Sequence, residues 1–209
     1  MSMTQPDFAM LRYPVIPLLT VRTMSDVDAL GGGLVDGGLP VAEVALRSEH
    51  SVAAIRRLAA RGDIEVGAGT VLTVQQARTA LDAGARFIVT PGLDLEVVRY
   101  TQDAGVPVIP GVLTPSEIQA ASRLGLTHVK LFPADAVDAI ACLRAFTAVY
   151  PGMRFMPSGG VRLTNVANYL SLPSVFAVSG SWITAEPDQG VVASAARAAL
   201  SAAESVCAQ

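Results

Sequence analysis

Short runs rich in β-branched residues recur along the chain, each followed by an alanine-rich segment of helical period. This alternation restricts the fold more than any other feature. The runs are Val15–Val21, Val41–Leu46, Glu65–Val71, Phe87–Thr90, Pro107–Val112, His128–Phe132, Phe155–Ser158 and Val175–Ser179. Helical patterns cover Ser25–Asp36, Ser51–Arg61, Val74–Ala83, Leu95–Ala104, Pro115–Arg123, Val137–Val149 and Leu163–Leu170, with a last one over Gln189–Ser205. Gly37-Gly38, Gly62, Gly84 and Gly105 follow helices, where a left-handed residue is wanted. Thr73, Asp94 and Thr114 offer capping side chains at helix starts, and Arg162-Leu163-Thr164 marks a fourth start. Eight strand–helix units in 209 residues predict an α/β protein, a single (β/α)8 TIM barrel. One domain over residues 1–209 is expected, with a short helix ahead of Val15 closing the barrel bottom. The alternative is an open doubly wound sheet. Against it, no Gly-x-Gly-x-x-Gly opens a first helix and no Gly-x-x-x-x-Gly-Lys-Ser/Thr occurs.

Several function classes fall away on composition. Hydrophobic residues make up 51% and charged residues 16%, which opposes intrinsic disorder. The longest uncharged stretch, between Arg162 and Glu186, holds Asn165, Asn168, Pro173 and Gly180, so it fails as a membrane span. No basic cluster precedes a cleavable apolar core at the N-terminus, so no signal peptide is expected. A net charge of −3 offers no basic stripe for nucleic acid. Cys142 and Cys207 are too few for a disulfide framework and suit a reducing cytoplasm. His50 and His128 form no ligand-spaced cluster, so no metal is expected, and both read as structural.

Of fifteen basic residues one is lysine, Lys130; the rest are arginine. Arginine stays protonated, whereas a lysine amine can lose its proton and attack a carbonyl. Lys130 lies amid apolar residues near the end of a strand, where barrels of this type keep their chemistry. Burial disfavours a charged group in general, which is the setting a nucleophilic amine wants. Alternation along Val41–Arg47 puts Glu43 and Arg47 on one face, pointing either into the barrel or out to solvent. Gly67-Ala68-Gly69-Thr70 leaves room for a ligand or a close backbone and supplies a hydroxyl. Pro157-Ser158-Gly159-Gly160 and Ser179-Gly180-Ser181 follow the last two strands, the place where barrels hold phosphate on backbone N–H groups. Trp182 reads as packing, and Arg22 reads as a solvated loop residue or an anion contact.

As a set, Val-Ala-Glu-Val-Ala-Leu-Arg (41–47), Val-Gly-Ala-Gly-Thr-Val-Leu (66–72), Ile-Val-Thr-Pro-Gly (88–92), Ile-Pro-Gly-Val-Leu-Thr-Pro-Ser-Glu (109–117), Val-Lys-Leu-Phe-Pro-Ala (129–134) and Pro-Ser-Gly-Gly-Val (157–161) resemble one known family. It is the 2-keto-3-deoxy-6-phosphogluconate (KDPG) aldolase / 4-hydroxy-2-oxoglutarate aldolase family. These are class I, Schiff-base aldolases of the Entner–Doudoroff pathway, and the resemblance runs from about Val15 to Ile183.

The resemblance implies a role for each matching residue. Lys130 is the imine-forming lysine and Glu43 the proton shuttle; Arg47 and Thr70 hold the pyruvate carboxylate. Pro91 and Phe132 form an apolar wall, and Ser158, Gly159, Gly160, Gly180 and Ser181 cradle phosphate. It further implies cleavage of KDPG to pyruvate and glyceraldehyde 3-phosphate, no cofactor, a small keto-acid phosphate as partner, and a homotrimer. Three departures stand out. Ser158 replaces a usual threonine, and Ser179 stands where glycine is commoner, leaving open whether its side chain crowds the phosphate. The stretch from Asp135 to Ala139 lacks its usual glycine. The alternatives are 2-keto-3-deoxy-6-phosphogalactonate as substrate, a phosphosugar isomerase or synthase using Lys130 only as a charge, or a silent phospho-ligand-binding barrel.

Overall fold

Val15–Leu19 (β1) is apolar and buried at every position, the pattern of a parallel strand covered on both faces. The computed structural model describes residues 12–207. After β1 come α1 (Asp26–Asp36), β2 (Val41–Ala45), α2 (Ser51–Ala59), β3 (Glu65–Gly69), α3 (Val74–Asp82), β4 (Ile88–Val89), α4 (Leu95–Asp103) and β5 (Val108–Ile109). The second half holds β6 (Gly111–Val112), α5 (Pro115–Arg123), β7 (His128–Leu131), α6 (Ala139–Val149), β8 (Arg154–Pro157), α7 (Val166–Leu170), β9 (Val178–Gly180) and α8 (Gln189–Cys207). The helix expected ahead of Val15 falls largely on residues 1–11, outside the described residues.

Every strand pairing is parallel, so the molecule is an α/β fold. Six strands run in the order β5-β4-β3-β2-β1-β9 and three in the order β6-β7-β8. One seam between the sheets falls at Pro110, which splits the single strand expected over Pro107–Val112 into two. Proline has no N–H to donate to a ladder, yet its carbonyl accepts from Lys130 N–H at 2.8 Å. At the other seam, isolated parallel bridges join Phe155 to Val175 and Ser158 to Ser179.

The helices begin where the local chemistry says. Thr73, Asp94 and Thr114 accept hydrogen bonds from Gln76, Val97 and Glu117 N–H. Thr114 and Glu117 complete a reciprocal capping box, with Pro115 in the first turn. α7 starts later than the pattern predicts: Asn165 Oδ1 accepts from Arg162 N–H, which holds the intervening residues in a turn. The core between strands and helices includes Ile16, Leu19, Phe87, Ile109, Leu131 and Phe155, all fully buried. First and last helices meet closely, for a methyl group on Gly37 would lie 2.5 Å from Ala196 Cβ.

Candidate active site

Glu43 is the middle residue of β2, flanked by apolar neighbours and 0% exposed. Lys130, on β7, is 5% exposed. Burying either ion alone costs several kcal/mol, and each is the other's answer: Lys130 Nζ donates to Glu43 Oε1 at 3.4 Å. The open side of the β2–Lys130 face is therefore the interior, as one of the two sequence readings required. Lys130 Nζ also sits 5.1 Å from the centroid of the Phe132 ring.

Room for this pair is made by missing side chains. A Cβ at Gly69 would lie 2.2 Å from Glu43 Oε1, and one at Gly111, opposite Lys130 in the ladder, would lie 2.1 Å from Pro91 O. Pro91 is thus brought against the strand that neighbours Lys130. The other carboxylate oxygen, Glu43 Oε2, accepts from Ser179 Oγ at 3.0 Å.

Arg47 lies beyond the end of β2 and is exposed, its Nε donating to Thr70 Oγ1 at 3.2 Å. Thr70 has φ +58°, the one left-handed non-glycine residue among those described. Such a conformation costs of order 1–3 kcal/mol and gathers at ligand clamps. The guanidinium and hydroxyl together form a fork suited to a carboxylate.

Gly159 and Gly160 follow β8 with φ of +94° and +67°, and Asn165 Nδ2 donates to Gly160 O at 3.1 Å. Gly180 ends β9 and lies against the Trp182 ring, where a Cβ would meet carbon at 2.4 Å. Ser181 is exposed beside it, and Ser158 is buried at the Ser158–Ser179 bridge. That bridge joins the two loops into one region. Asp135 packs against Gly160, where an added Cβ would meet its Cβ at 2.5 Å, so the segment lacking the usual glycine does border this region.

The structure thus brings together Glu43 with Lys130 and Phe132, Arg47 with Thr70, and the loop residues Ser158, Gly159, Gly160, Gly180 and Ser181. Ser179 Oγ turns to the Glu43 carboxylate rather than crowding the cradle, because its side chain shares the interior face of the sheet. Sequence reading missed that contact, and it left Gly69 open between a ligand and a close backbone where the structure gives the space to the Glu43 side chain. Among the described residues no group of three His, Cys, Asp or Glu could hold a metal ion, and no helix is long and apolar enough to cross a membrane.

The family model described as "Aldolase: KDPG and KHG aldolase" matches residues 7–194. The 2-dehydro-3-deoxy-phosphogluconate aldolase of Pseudomonas aeruginosa is 42% identical over 170 residues, which is 81% of this chain and 77% of that protein. The KHG/KDPG aldolase of Escherichia coli is 36% identical over 181 residues, 86% of this chain and 85% of that one. The crystal structure of the Legionella pneumophila KDPG aldolase, with pyruvate captured at low pH as a covalent carbinolamine intermediate, matches with a TM-score of 0.89. It is 36% identical, over 94% of this chain and 98% of the Legionella chain. The matched span holds the buried Lys130–Glu43 pair, the Arg47–Thr70 contact and both glycine loops, and the chain belongs to the KDPG and KHG aldolase family.

Proposed function

We propose that this protein is a class I aldolase, a carbon–carbon lyase that cleaves KDPG to pyruvate and glyceraldehyde 3-phosphate, and that also accepts 4-hydroxy-2-oxoglutarate. The buried Lys130–Glu43 pair carries this reading. Lys130 passes a proton to Glu43 across their 3.4 Å contact; the freed amine attacks the C2 ketone of the substrate, and Glu43 returns that proton to the departing hydroxyl, releasing water and leaving a protonated imine. Its positive nitrogen accepts the electron pair of the breaking C3–C4 bond, while Glu43 takes the C4 hydroxyl proton. Glyceraldehyde 3-phosphate departs, and the remaining enamine is protonated at C3 and hydrolysed to pyruvate and free lysine. The imine is the electron sink, so the chemistry needs no metal or organic cofactor.

Arg47 and Thr70 hold the carboxylate of the keto acid, and Phe132 and Pro91 wall off the imine from water. Ser158, Gly159, Gly160, Gly180 and Ser181 present N–H and hydroxyl groups to the phosphate. We further infer that the two sheets close into one eight-stranded barrel, with 108–112 acting as a single strand bent at Pro110; the hydrogen bonds at both seams support this. A cytoplasmic homotrimer is the assembly that the family resemblance favours.

The test is pyruvate with borohydride, read by intact mass and peptide mapping. A reduced pyruvyl adduct on Lys130 is expected, and Lys130→Arg is expected to lose adduct and roughly 10⁴–10⁶-fold in turnover. Folded protein that forms no adduct would overturn the aldolase reading in favour of an isomerase, synthase or silent binding barrel.

A further inference from the structure

We infer that Ser179 is a positioning residue for the proton shuttle: its hydroxyl fixes the rotation of the Glu43 carboxylate so that Oε1 stays on the side of the Lys130 nitrogen. The inference rests on the aldolase reading above. Its observations are independent of that reading, however, being the two hydrogen bonds on Glu43 and the burial of all three side chains.

Glu43 and Ser179 are both 0% exposed. Among the described residues, Oε1 meets Lys130 Nζ at 3.4 Å and Oε2 meets Ser179 Oγ at 3.0 Å. The two oxygens therefore have different work. Lys130 cannot anchor the carboxylate through a turnover, because its nitrogen passes from amine to carbinolamine to imine and back, and loses protons on the way. The serine hydroxyl keeps its bonds throughout, so the Oε2 contact survives every step. A carboxylate at the end of three rotatable bonds, in a space cleared by Gly69, would otherwise be held on one side only.

Ser179 is itself well held. It lies in β9 with Val178 and Gly180 as neighbours, its backbone pairs with Ile16 of β1 and bridges to Ser158. A group fixed by a strand on both sides positions more precisely than one on a loop. The residue after it, Gly180, belongs to the glycine loop, so the same strand sets both the shuttle and the start of the cradle.

The experiment separates a role on Glu43 from a role on phosphate. Pyruvate bears no phosphate, and exchange of its methyl hydrogens for deuterium reports proton transfer at the imine: the C3–H bond breaks, the proton goes to Glu43 Oε1 and on to solvent, the electron pair forms the enamine, and a solvent deuteron returned through Glu43 closes the C3–D bond. Ser179→Ala and Ser179→Gly are both smaller than serine, so neither overfills the site. Each is expected to lower exchange and kcat by about 10-fold, part of the ~10²–10⁴-fold that a general base supplies. KM for KDPG should stay within about 2-fold, since ground-state binding is untouched. Borohydride trapping of pyruvate on Lys130 still runs to completion. In a Glu43→Gln background, Ser179→Ala is expected to cost nothing further, the signature of two groups acting as a unit.

Wild-type exchange rates in both serine variants would overturn the inference. So would an equal loss with and without Glu43, or a change confined to KM for the phosphorylated substrate. Absence of exchange and adduct in the wild-type protein would instead overturn the aldolase reading itself.

Discussion

At Gly69 the missing side chain is what makes room for the Glu43 carboxylate. The backbone there is ordinary extended strand, so alanine would fit the conformation; it would not fit the space, because the Glu43 carboxylate occupies it. Gly69→Ala is expected to leave the fold intact and to push the carboxylate off its place beside Lys130. Displacement by 1 Å costs on the order of 10²-fold, so steady-state kcat should drop by about that factor; a kcat within 2-fold of wild type would show that Glu43 has other room. Lys130 and Glu43 were legible in the sequence because each breaks a local rule, a charge in an apolar strand. Ser179 and Gly69 break none, since serine and glycine in strands are unremarkable. Their meaning comes from register: Ser179 lies opposite Ile16, and Leu18 opposite Glu43. Ile16 and Leu18 are two apart, so all four side chains share one face, which cannot be known before β1 is seen between β2 and β9.

Among the elements, helices were easier to read than strands, because a helix start is written in adjacent residues. The Thr114–Glu117 box is the clearest case: Glu117 accepts from the N–H groups of Leu113 and Thr114 and from the Thr114 hydroxyl. Burial would raise the Glu117 pKa, but these three bonds outweigh it and hold the carboxyl below its ordinary range. Thr114→Ala removes one bond to the carboxylate and the cap on Glu117 N–H. It should cost ~1 kcal/mol, a fall in Tm of roughly 2–4 °C by thermal unfolding, without change in KM. An unchanged Tm would mean that Pro115 alone sets the helix start. Strand limits depend instead on partners far along the chain, and the break at Pro110 shows why. The residues on either side pair with opposite neighbours, β4 and β7, which no local pattern records.

Across the whole molecule, acid sensitivity has an identifiable contributor in one half-buried histidine. His128 opens β7, with Nδ1 3.0 Å from Thr127 Oγ1 and its ring edge-on to Phe176. Burial, helped by the charge of Arg154, pushes its pKa down from 6.5 to about 4. Between those values the unfolded chain binds the proton that the folded chain refuses, so stability is full above about pH 6.5 and declines as pH falls toward 4. Tm measured from pH 7 to pH 5 should fall, and His128→Gln should flatten that slope; superimposable profiles would assign the loss to carboxylates.

The pairing of β1 with β9 has a consequence for biosynthesis. Val15 must wait for Val178, and Gly37 for Ala196, before the first strand and helix gain their second neighbours. A ribosome adding ~5–20 residues per second needs on the order of 10–30 s for that interval. Through it, a fully apolar strand stands with one edge bare and one helix face uncovered. A message truncated before β9 thus yields a product that cannot seal its own beginning.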